Sequence, residues 1–230
     1  MLTAFASEIW LADGPAVTVP GGFRYPTRMA VIRLRGGDLV LWSPVAISDE
    51  LHAAVDALGR VRYLAPPNSL HHVFLGDWQR AYPDAVVLAP PGLRRKRPDI
   101  RFDSDFADGQ VQAWAGEIEH VVVGGNWITT EVVFFHWPSR TAIFTDLLQQ
   151  FPPGWFGGWR RLVARFDLML CDEPSVPRKF RLAFRDRAAA RRALARSLAW
   201  PAERVLMAHG EPVTSDGQAY LRRAFSWLRP

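Results

Sequence analysis

The amino-acid sequence predicts an α/β fold in which two β-sheets pack together and helices cover their outer faces. The order of the elements favours this fold: an opening group of strands, then alternating strands and helices, then a second group of strands and a last strand–helix pair. An apolar share of 49% is ordinary for a protein that buries a core. No repeat, low-complexity linker or change of composition marks a boundary, so we expect one domain over residues 1–230.

The first strands and the first helix have clear local signals. Segments 29–34 (MAVIRL) and 39–42 (LVLW) are rich in strand-forming residues, and the Gly-Gly-Asp sequence at 36–38 predicts a hairpin turn between them. A helix is predicted to start at Ser48, because its hydroxyl can cap the first turn and two acidic residues follow near the positive end of the dipole. Gly59 is predicted to end this helix.

Strands then alternate with helices, as in a parallel sheet built from βαβ units. Strands are predicted at 61–65 and 85–89, with a helix at 72–81 between them. Later strands are predicted at 118–123, 131–136, 141–145 and 204–208, and later helices at 156–166, 186–199 and 215–228. The loop-like segment 151–160 (FPPGWFGGWR) is either a flap over a site or a packed connection.

The positive charge of the chain comes from arginine. The net charge is +5, and two of the 28 basic residues are lysines (Lys96 and Lys179), which leaves 26 arginines. Basic residues are concentrated at 94–97 and 178–196, and either run could attract nucleic acid. We expect solvated helix faces instead, because no nucleic-acid-binding motif accompanies the runs. The expected partner is a small-molecule substrate or ligand, and not nucleic acid.

Three features bear on the location of the protein. No segment approaches the ~18 consecutive apolar residues of a membrane-spanning helix, and we expect no membrane partner. The N-terminal segment MLTAFASEIWLADGPA lacks the basic start of a signal peptide and is interpreted as a first strand. Cys171, the only cysteine, has no partner for an internal disulfide, which is compatible with a reducing compartment. We expect a cytoplasmic protein and leave its oligomeric state open.

Polar side chains that could bind a metal follow three predicted strands. They belong to the loop 66–72 (PPNSLHH), to Asp146 and to His209. Open α/β sheets present reactive groups at strand ends, so a carboxylate and imidazoles from three strands can converge there. Such donors suit a divalent metal, here Zn, Fe or Mn. The alternative is that each of them is an ordinary hydrogen-bonded residue.

Longer segments resemble the metallo-β-lactamase superfamily over nearly the whole chain. Segment 139–149 (SRTAIFTDLLQ) looks like that family's strand ending in a metal-bridging Asp, and 207–213 (MAHGEPV) looks like its last motif, where His-Gly carries a ligand. The strings PNSLHHVFLG, PGLRRKRPD and EVVFFHWPSRT more closely resemble an uncharacterised branch, a domain of unknown function. The resemblance implies a four-layer αββα sandwich of the metallo-β-lactamase type, and by itself no activity.

The sequence departs from this family's His-x-His-x-Asp-His loop. Aligning His72 with the last histidine of the loop places Pro67 and Ser69 at the first two histidine positions. Aligning Asn68 with the first histidine places Leu70 at the second. Neither alignment restores the His-x-His pair.

The family's third motif is also incomplete, because residues 125–127 (GNW) contain no histidine. The resemblance therefore implies that the three-histidine metal site is lost. The second site could survive as His71 and/or His72 with Asp146 and His209. We expect one divalent metal and not two.

The leading hypothesis is a metal-dependent hydrolase, or a related lyase or oxidoreductase, that acts on a small molecule at this reduced, mononuclear site. A second hypothesis is a catalytically degenerate member that binds a ligand or a protein partner. A third is a nucleic-acid-binding or processing protein, which would bind with a steep salt dependence.

Two residues are candidates for substrate binding. Arg28 could hold an anionic group with its planar guanidinium, or form an ordinary ion pair. Asn68 could hydrogen-bond the substrate, or shape its own loop. Asp77 is either a general base or a surface residue of a short helix. No catalytic residue is assigned.

Overall fold

The computed structural model describes residues 1–106 and 111–228, which form two β-sheets with helices on their outer faces. In the first sheet the spatial order of the strands follows the chain. The first four strands pair antiparallel, and three more add in parallel. These strands are β1 (Thr3–Ala6), β2 (Ile9–Val19), β3 (Phe23–Arg33), β4 (Asp38–Trp42), β5 (Arg60–Ala65), β6 (Val86–Ala89) and β7 (Ser104–Asp105).

The second sheet comes from the later part of the chain. Its strands are β8 (Ile118–Val123), β9 (Glu131–His136), β10 (Thr141–Gln149) and β11 (Arg204–His209). The first three form an antiparallel meander, and β11 pairs in parallel with β10 at one edge. β10 continues beyond its predicted end at residue 145, but its pairing with β11 shifts between Phe144 and Gln149. The backbone of β10 therefore bulges at the segment that contains Asp146.

Seven helices of at least one turn occur in the described ranges. They are α1 (Asp49–Asp56), α2 (Leu75–Ala81), α3 (Leu93–Lys96), α4 (Gly158–Phe166), α5 (Arg178–Ala183), α6 (Arg187–Leu198) and α7 (Gly217–Ala224). The predicted cap of α1 is present, because the Ser48 hydroxyl accepts a hydrogen bond from the Leu51 N–H at 3.2 Å. In the described part of the chain, the helices are too short or too polar to cross a bilayer.

Three hydrophobic clusters separate four layers. The first lies between α1–α3 and the outer face of the first sheet, and Trp78 is its largest buried side chain. The second lies between the sheets, where Trp42 of β4 and Phe134 of β9 belong to one cluster. The third joins the second sheet to α5–α7 and includes Phe144 and Tyr220. The architecture is the αββα sandwich that the sequence predicts.

The hairpin β2–β3 is longer than predicted. The prediction began the second strand of this pair at residue 29, whereas β3 begins at Phe23. Pro15 and Pro26 hide the strand pattern in the sequence. They are tolerated because the pairing shifts between Gly14 and Val17, and a bulge needs no N–H from a proline. The tip of this hairpin forms one wall of the site described next.

Candidate metal centre

Three of the predicted ligands lie together at one end of the two sheets. His71 follows β5, Asp146 lies in the bulge of β10, and His209 ends β11. The Nε2 atoms of His71 and His209 are 3.2 Å apart. The Asp146 carboxylate oxygens lie 3.4 Å from His71 Nε2 and 3.5 Å from His209 Nε2. We call these residues the His–Asp–His cluster.

The distances in the His–Asp–His cluster fit a tetrahedral metal. Ligands bound at about 2.0–2.2 Å at the corners of a tetrahedron lie roughly 3.3–3.6 Å from one another. The two Nε2 atoms are 3.2 Å apart, close to one edge of such a tetrahedron, and Asp146 turns Oδ2 to His71 at 3.4 Å and Oδ1 to His209 at 3.5 Å, so one carboxylate oxygen could complete a face. The fourth corner would remain for water or substrate. Among the described residues, His71, Asp146 and His209 are the His, Cys, Asp or Glu side chains whose donor atoms lie close enough together to hold a metal ion.

Hydrogen bonds behind the two histidines orient their rings. His209 Nδ1 donates to the Pro26 carbonyl oxygen at 2.9 Å, and because a carbonyl only accepts, the Nε2 of neutral His209 carries a lone pair. His71 Nδ1 lies 2.8 Å from the Ser43 hydroxyl oxygen. Outer partners of this kind set the tautomer and ring angle of metal-binding histidines. The lone pair of His209 faces His71 and Asp146, where a bound cation would be favourable.

The charges of the cluster also suit a cation. Burial acts to raise the pKa of Asp146, but the neighbouring His71 and His209 lower it well below its usual range. Burial lowers the pKa of His209. At neutral pH the carboxylate is therefore ionised and the His209 imidazole is neutral, which are the states in which both groups bind metals.

His72, the second histidine predicted as a ligand, lies outside the cluster. Its Nδ1 faces the Arg97 guanidinium, whose Nη1 is 3.1 Å away and also donates to the His72 carbonyl oxygen at 2.8 Å. Burial and the positive charges of Lys96 and Arg97 lower the pKa of His72 to about 4. Of the two alternatives left open by the sequence, the fold brings His71 to Asp146 and His209, and leaves His72 in the wall of the adjacent cavity.

Asn68 connects the loop after β5 to the cluster. Its side chain is fully buried, and its Nδ2 donates to Asp146 Oδ2 at 2.7 Å. Its Oδ1 accepts from the backbone N–H groups of Leu70 and His71 at 2.8 and 3.1 Å. The Asn68 amide thus shapes the loop and holds a candidate ligand, whereas its contact with a substrate stays a prediction.

Arg28 lies beside the cluster without lining its cavity. Its Nη1 donates to the carbonyl oxygens of Met207 and Gly210 at 3.1 and 2.6 Å, and its Nε pairs with Asp13 at 2.7 Å. Arg28 therefore secures the end of β11, where His209 lies. Asp77, the other polar candidate, pairs with Arg80 on the surface of α2.

Glu131 is a buried residue that the sequence analysis missed. Its Oε1 accepts from the Thr145 N–H at 2.8 Å, and its Oε2 accepts from the N–H groups of Asp146 and Leu147 at 2.8 and 3.0 Å. Burial, with the nearby Asp146 charge, raises the pKa of Glu131 to about 8. One carboxyl group therefore holds the bulge that carries Asp146. The available signal was a single charge in the otherwise apolar strand EVVFFH.

A cavity of about 370 Å³ opens beside the cluster. This volume is within the ordinary range for small-molecule sites. Its lining is mainly apolar, with the cations of Lys96 and Lys179 at its wall. The Lys179 ammonium donates to the Tyr25 hydroxyl at 2.7 Å and lies 3.3 Å from Asp167, whereas Lys96 donates to the Ser69 carbonyl oxygen. The apolar residues in the lining include Val17, Val19, Leu70, Val73, Phe74, Ile128 and Phe180.

Comparisons with known proteins agree with this architecture. A family model described as a domain of unknown function (DUF4336) matches residues 8–156. No curated protein matches the chain in sequence. Among solved structures, a metallo-beta-lactamase from Pontibacter korlensis matches with a TM-score of 0.65 and 16% identity, covering 99% of this chain and 98% of that one. One from Hirschia baltica matches with a TM-score of 0.65 and 14% identity, covering 100% and 98%.

A third structure, the metallo-beta-lactamase FIM-1 from Pseudomonas aeruginosa in its mono-zinc form, matches with a TM-score of 0.64 and 13% identity, covering 100% of this chain and 96% of that one. At such low identities, likeness of structure shows the fold and not the activity. The four-layer sandwich is therefore the metallo-β-lactamase fold, and the His–Asp–His cluster is a candidate metal site within it.

Proposed function

This chain belongs to the family described as a domain of unknown function (DUF4336), and, because it also has the metallo-β-lactamase fold, we propose that it is a metal-dependent hydrolase with a site for one divalent metal. The observation that carries the proposal is the convergence of two imidazole nitrogens, 3.2 Å apart, on a carboxylate that has an oxygen within 3.5 Å of each, beside a mainly apolar cavity. The metal would be Zn, Fe or Mn, and the substrate a small molecule.

Each residue of the cluster has a definite task in this proposal. His71 and His209 would hold the metal through Nε2, while their Nδ1 atoms stay bonded to Ser43 and the Pro26 carbonyl. Asp146 would supply the anionic ligand. When bound, a divalent metal in a three-ligand site polarises substrates and lowers the pKa of a bound water to about 7. The buried positions of Asp146 and His209 exclude bulk water from the ligands' inner side.

A single metal is proposed because the residues at the other site lack suitable donors. Asn126 lies where the third motif would be. Its side-chain amide donates to the Phe180 carbonyl oxygen and accepts from the Ile128 N–H. Pro67 and Ser69 stand where one alignment requires histidines. The structurally similar metallo-beta-lactamase FIM-1 is described in a mono-zinc form. In that protein, therefore, the fold holds a single metal.

The cavity lining supports a substrate with an apolar body and an anionic group. Lys96 and Lys179 are cations in the lining, and Asp146 is its carboxylate, which a bound metal would neutralise. A metal-loaded cavity would therefore be positive, and positive clefts concentrate anions. Recognition of the anion is assigned to Lys96, whose ammonium donates to a neutral carbonyl, because Arg28 is paired with Asp13 and Lys179 with Asp167.

Metal analysis of the purified protein tests this function. Protein made without chelators or metal-affinity steps should contain about one equivalent of Zn, Fe or Mn, as expected for one three-ligand site. Asp146→Asn should lower metal content and affinity, because it removes the charged ligand while preserving shape. His52→Ala is the matched control and should bind normally, because His52 lies on α1 and contacts Asp56 and Tyr82 and not the cluster.

A functional assay separates the hydrolase from the degenerate binder favoured by the missing His-x-His pair. Hydrolysis of 4-nitrophenyl acetate should increase when Zn²⁺ is added to the apo protein and should be lost in Asp146→Asn. Metal binding without hydrolysis of this ester or of a panel of lactams, thioesters and phosphodiesters would favour the binder. Absence of metal binding, even after metal is added, would refute the metal-dependent hydrolase and favour the degenerate binder.

A further inference from the structure

Helix α4 presents its apolar face to solvent. Trp159, Leu162, Val163 and Phe166 follow the i, i+3, i+4, i+7 spacing of one helix face, and they are 54%, 60%, 44% and 69% exposed. Ala164 is the buried residue of this helix. Such a stripe ordinarily faces the core of a protein, and monomeric proteins rarely leave a large contiguous apolar surface uncovered.

The charged side chains of α4 are all positive. α4 contains three arginines and no acidic residue. Arg161 and Arg165 are exposed, and in the described ranges neither guanidinium has a hydrogen bond or ion pair. Arg160 lies over the Trp159 ring, 4.9 Å from its centre. At 3.6 residues per turn, Arg160 and Arg165 flank the apolar face on opposite sides.

The α4 face adjoins the hairpin that forms a wall of the cavity. Trp159 packs edge-on against Phe23 with ring centres 5.5 Å apart, and Arg160 donates to the Gly21 carbonyl oxygen at 2.8 Å. Val17 and Val19 of β2, in the same hairpin, line the cavity. The helix is therefore anchored beside the site through Trp159 and Arg160, and the rest of its apolar face is left uncovered.

We propose that α4 docks the protein on an anionic lipid bilayer, with its apolar side chains in the interface and its arginines against the lipid phosphates. Aromatic and leucine side chains on one face with arginines beside them are the composition of interfacial helices. A second copy of this chain fits less well, because a two-fold contact through this face would oppose arginine to arginine. The expectation of no membrane partner rests on the length of apolar segment that crosses a bilayer. A helix that docks at the lipid–water interface does not need such a segment.

Flotation with extruded vesicles tests this proposal on the full chain. The protein should bind phosphatidylcholine vesicles that contain about 30% phosphatidylglycerol and bind pure phosphatidylcholine weakly, since each arginine near an anionic surface contributes about fivefold in affinity. Arg165→Gln should therefore weaken binding by about fivefold. Leu162→Ser with Phe166→Ser should weaken it by more than about tenfold, because both side chains leave the interface.

Two variants outside α4 serve as matched controls. Trp127→Ser removes an aromatic side chain that is 66% exposed elsewhere, and Arg192→Gln removes an exposed arginine of α6. Both should bind the anionic vesicles as the unchanged protein does. Thermal unfolding by circular dichroism should be unchanged in all these variants, because each altered side chain is exposed.

Three results would overturn the proposal. They are absence of binding by the unchanged protein to the anionic vesicles, equal binding by the Leu162→Ser/Phe166→Ser variant, and a loss in the Trp127→Ser control as large as in that variant. Light scattering tests the alternative that a second copy of the chain covers this face. A dimer in solution that the Leu162→Ser/Phe166→Ser variant converts to a monomer would assign the face to that second copy.

Discussion

Replacing Glu131 by glutamine should weaken metal binding at the His–Asp–His cluster without changing a ligand. Glu131 accepts hydrogen bonds from the N–H groups of Thr145, Asp146 and Leu147 at 2.8, 2.8 and 3.0 Å. Glutamine has the same shape but only one accepting oxygen. If that oxygen takes the place of Oε2, the amide NH₂ faces the Thr145 N–H, and one buried donor loses its acceptor.

The expected size of this effect follows from the unpaired donor. A buried polar group without a partner costs about 1–3 kcal/mol. If the bulge moves to give this donor a partner, Asp146 moves with it. The free energy of metal binding then becomes less favourable by a similar amount. Since about 1.4 kcal/mol is tenfold in affinity, the Kd should rise roughly 5- to 150-fold, in line with the 10- to 100-fold typical of outer-shell changes around metals.

Competition titration of apo protein with Zn²⁺ and a chromophoric chelator measures this change. Thr145→Val is the control, because the Thr145 hydroxyl is buried without a hydrogen-bond partner and its removal leaves all three backbone bonds in place. The d–d spectrum of the Co²⁺ form should shift in Glu131→Gln and not in Thr145→Val. A Kd for Glu131→Gln within about threefold of the unchanged protein, with an unchanged spectrum, would contradict the reasoning.

Three further predictions concern other parts of the molecule. Ser43→Ala should raise the Zn²⁺ Kd by about tenfold, because the His71 ring loses its outer partner at 2.8 Å; calorimetric titration that shows no change would assign that contact no role. Burial lowers the pKa of His136 to about 4, so below pH 6.5 the unfolded state binds the extra proton and the free energy of unfolding falls by up to about 3 kcal/mol towards pH 4. Urea titrations at neutral and acid pH should show a smaller loss for His136→Gln. Changing the arginines within 94–97 to alanine should leave duplex-DNA binding weak and unaltered at physiological salt, because two of them are paired with aspartates; a large loss of binding would contradict this.

Much of the fold could be predicted because its signals are local. The Ser48 cap and the apolar strands follow from neighbouring residues, and the predicted strands and helices have counterparts in the structure, whereas the short elements α3, α5 and β7 were not predicted. The hairpin β2–β3 was underestimated because its prolines lie at a bulge, which only the pairing of two strands defines. The bulge in β10 was missed for the same reason, since the Glu131 carboxyl group from the neighbouring strand β9 maintains it.

The sequence by itself determined the order of the elements, the αββα fold class and three strand ends rich in metal-binding side chains. Tertiary structure decided between His71 and His72, because adjacent loop residues point in different directions once Asn68 and Arg97 hold them. It also decided which way α4 faces. A helical stripe of apolar residues has the same sequence pattern whether it is buried or exposed, and only contacts to residues far away in the chain, such as those of Trp159 and Arg160 with the β2–β3 hairpin, leave most of this one in solvent.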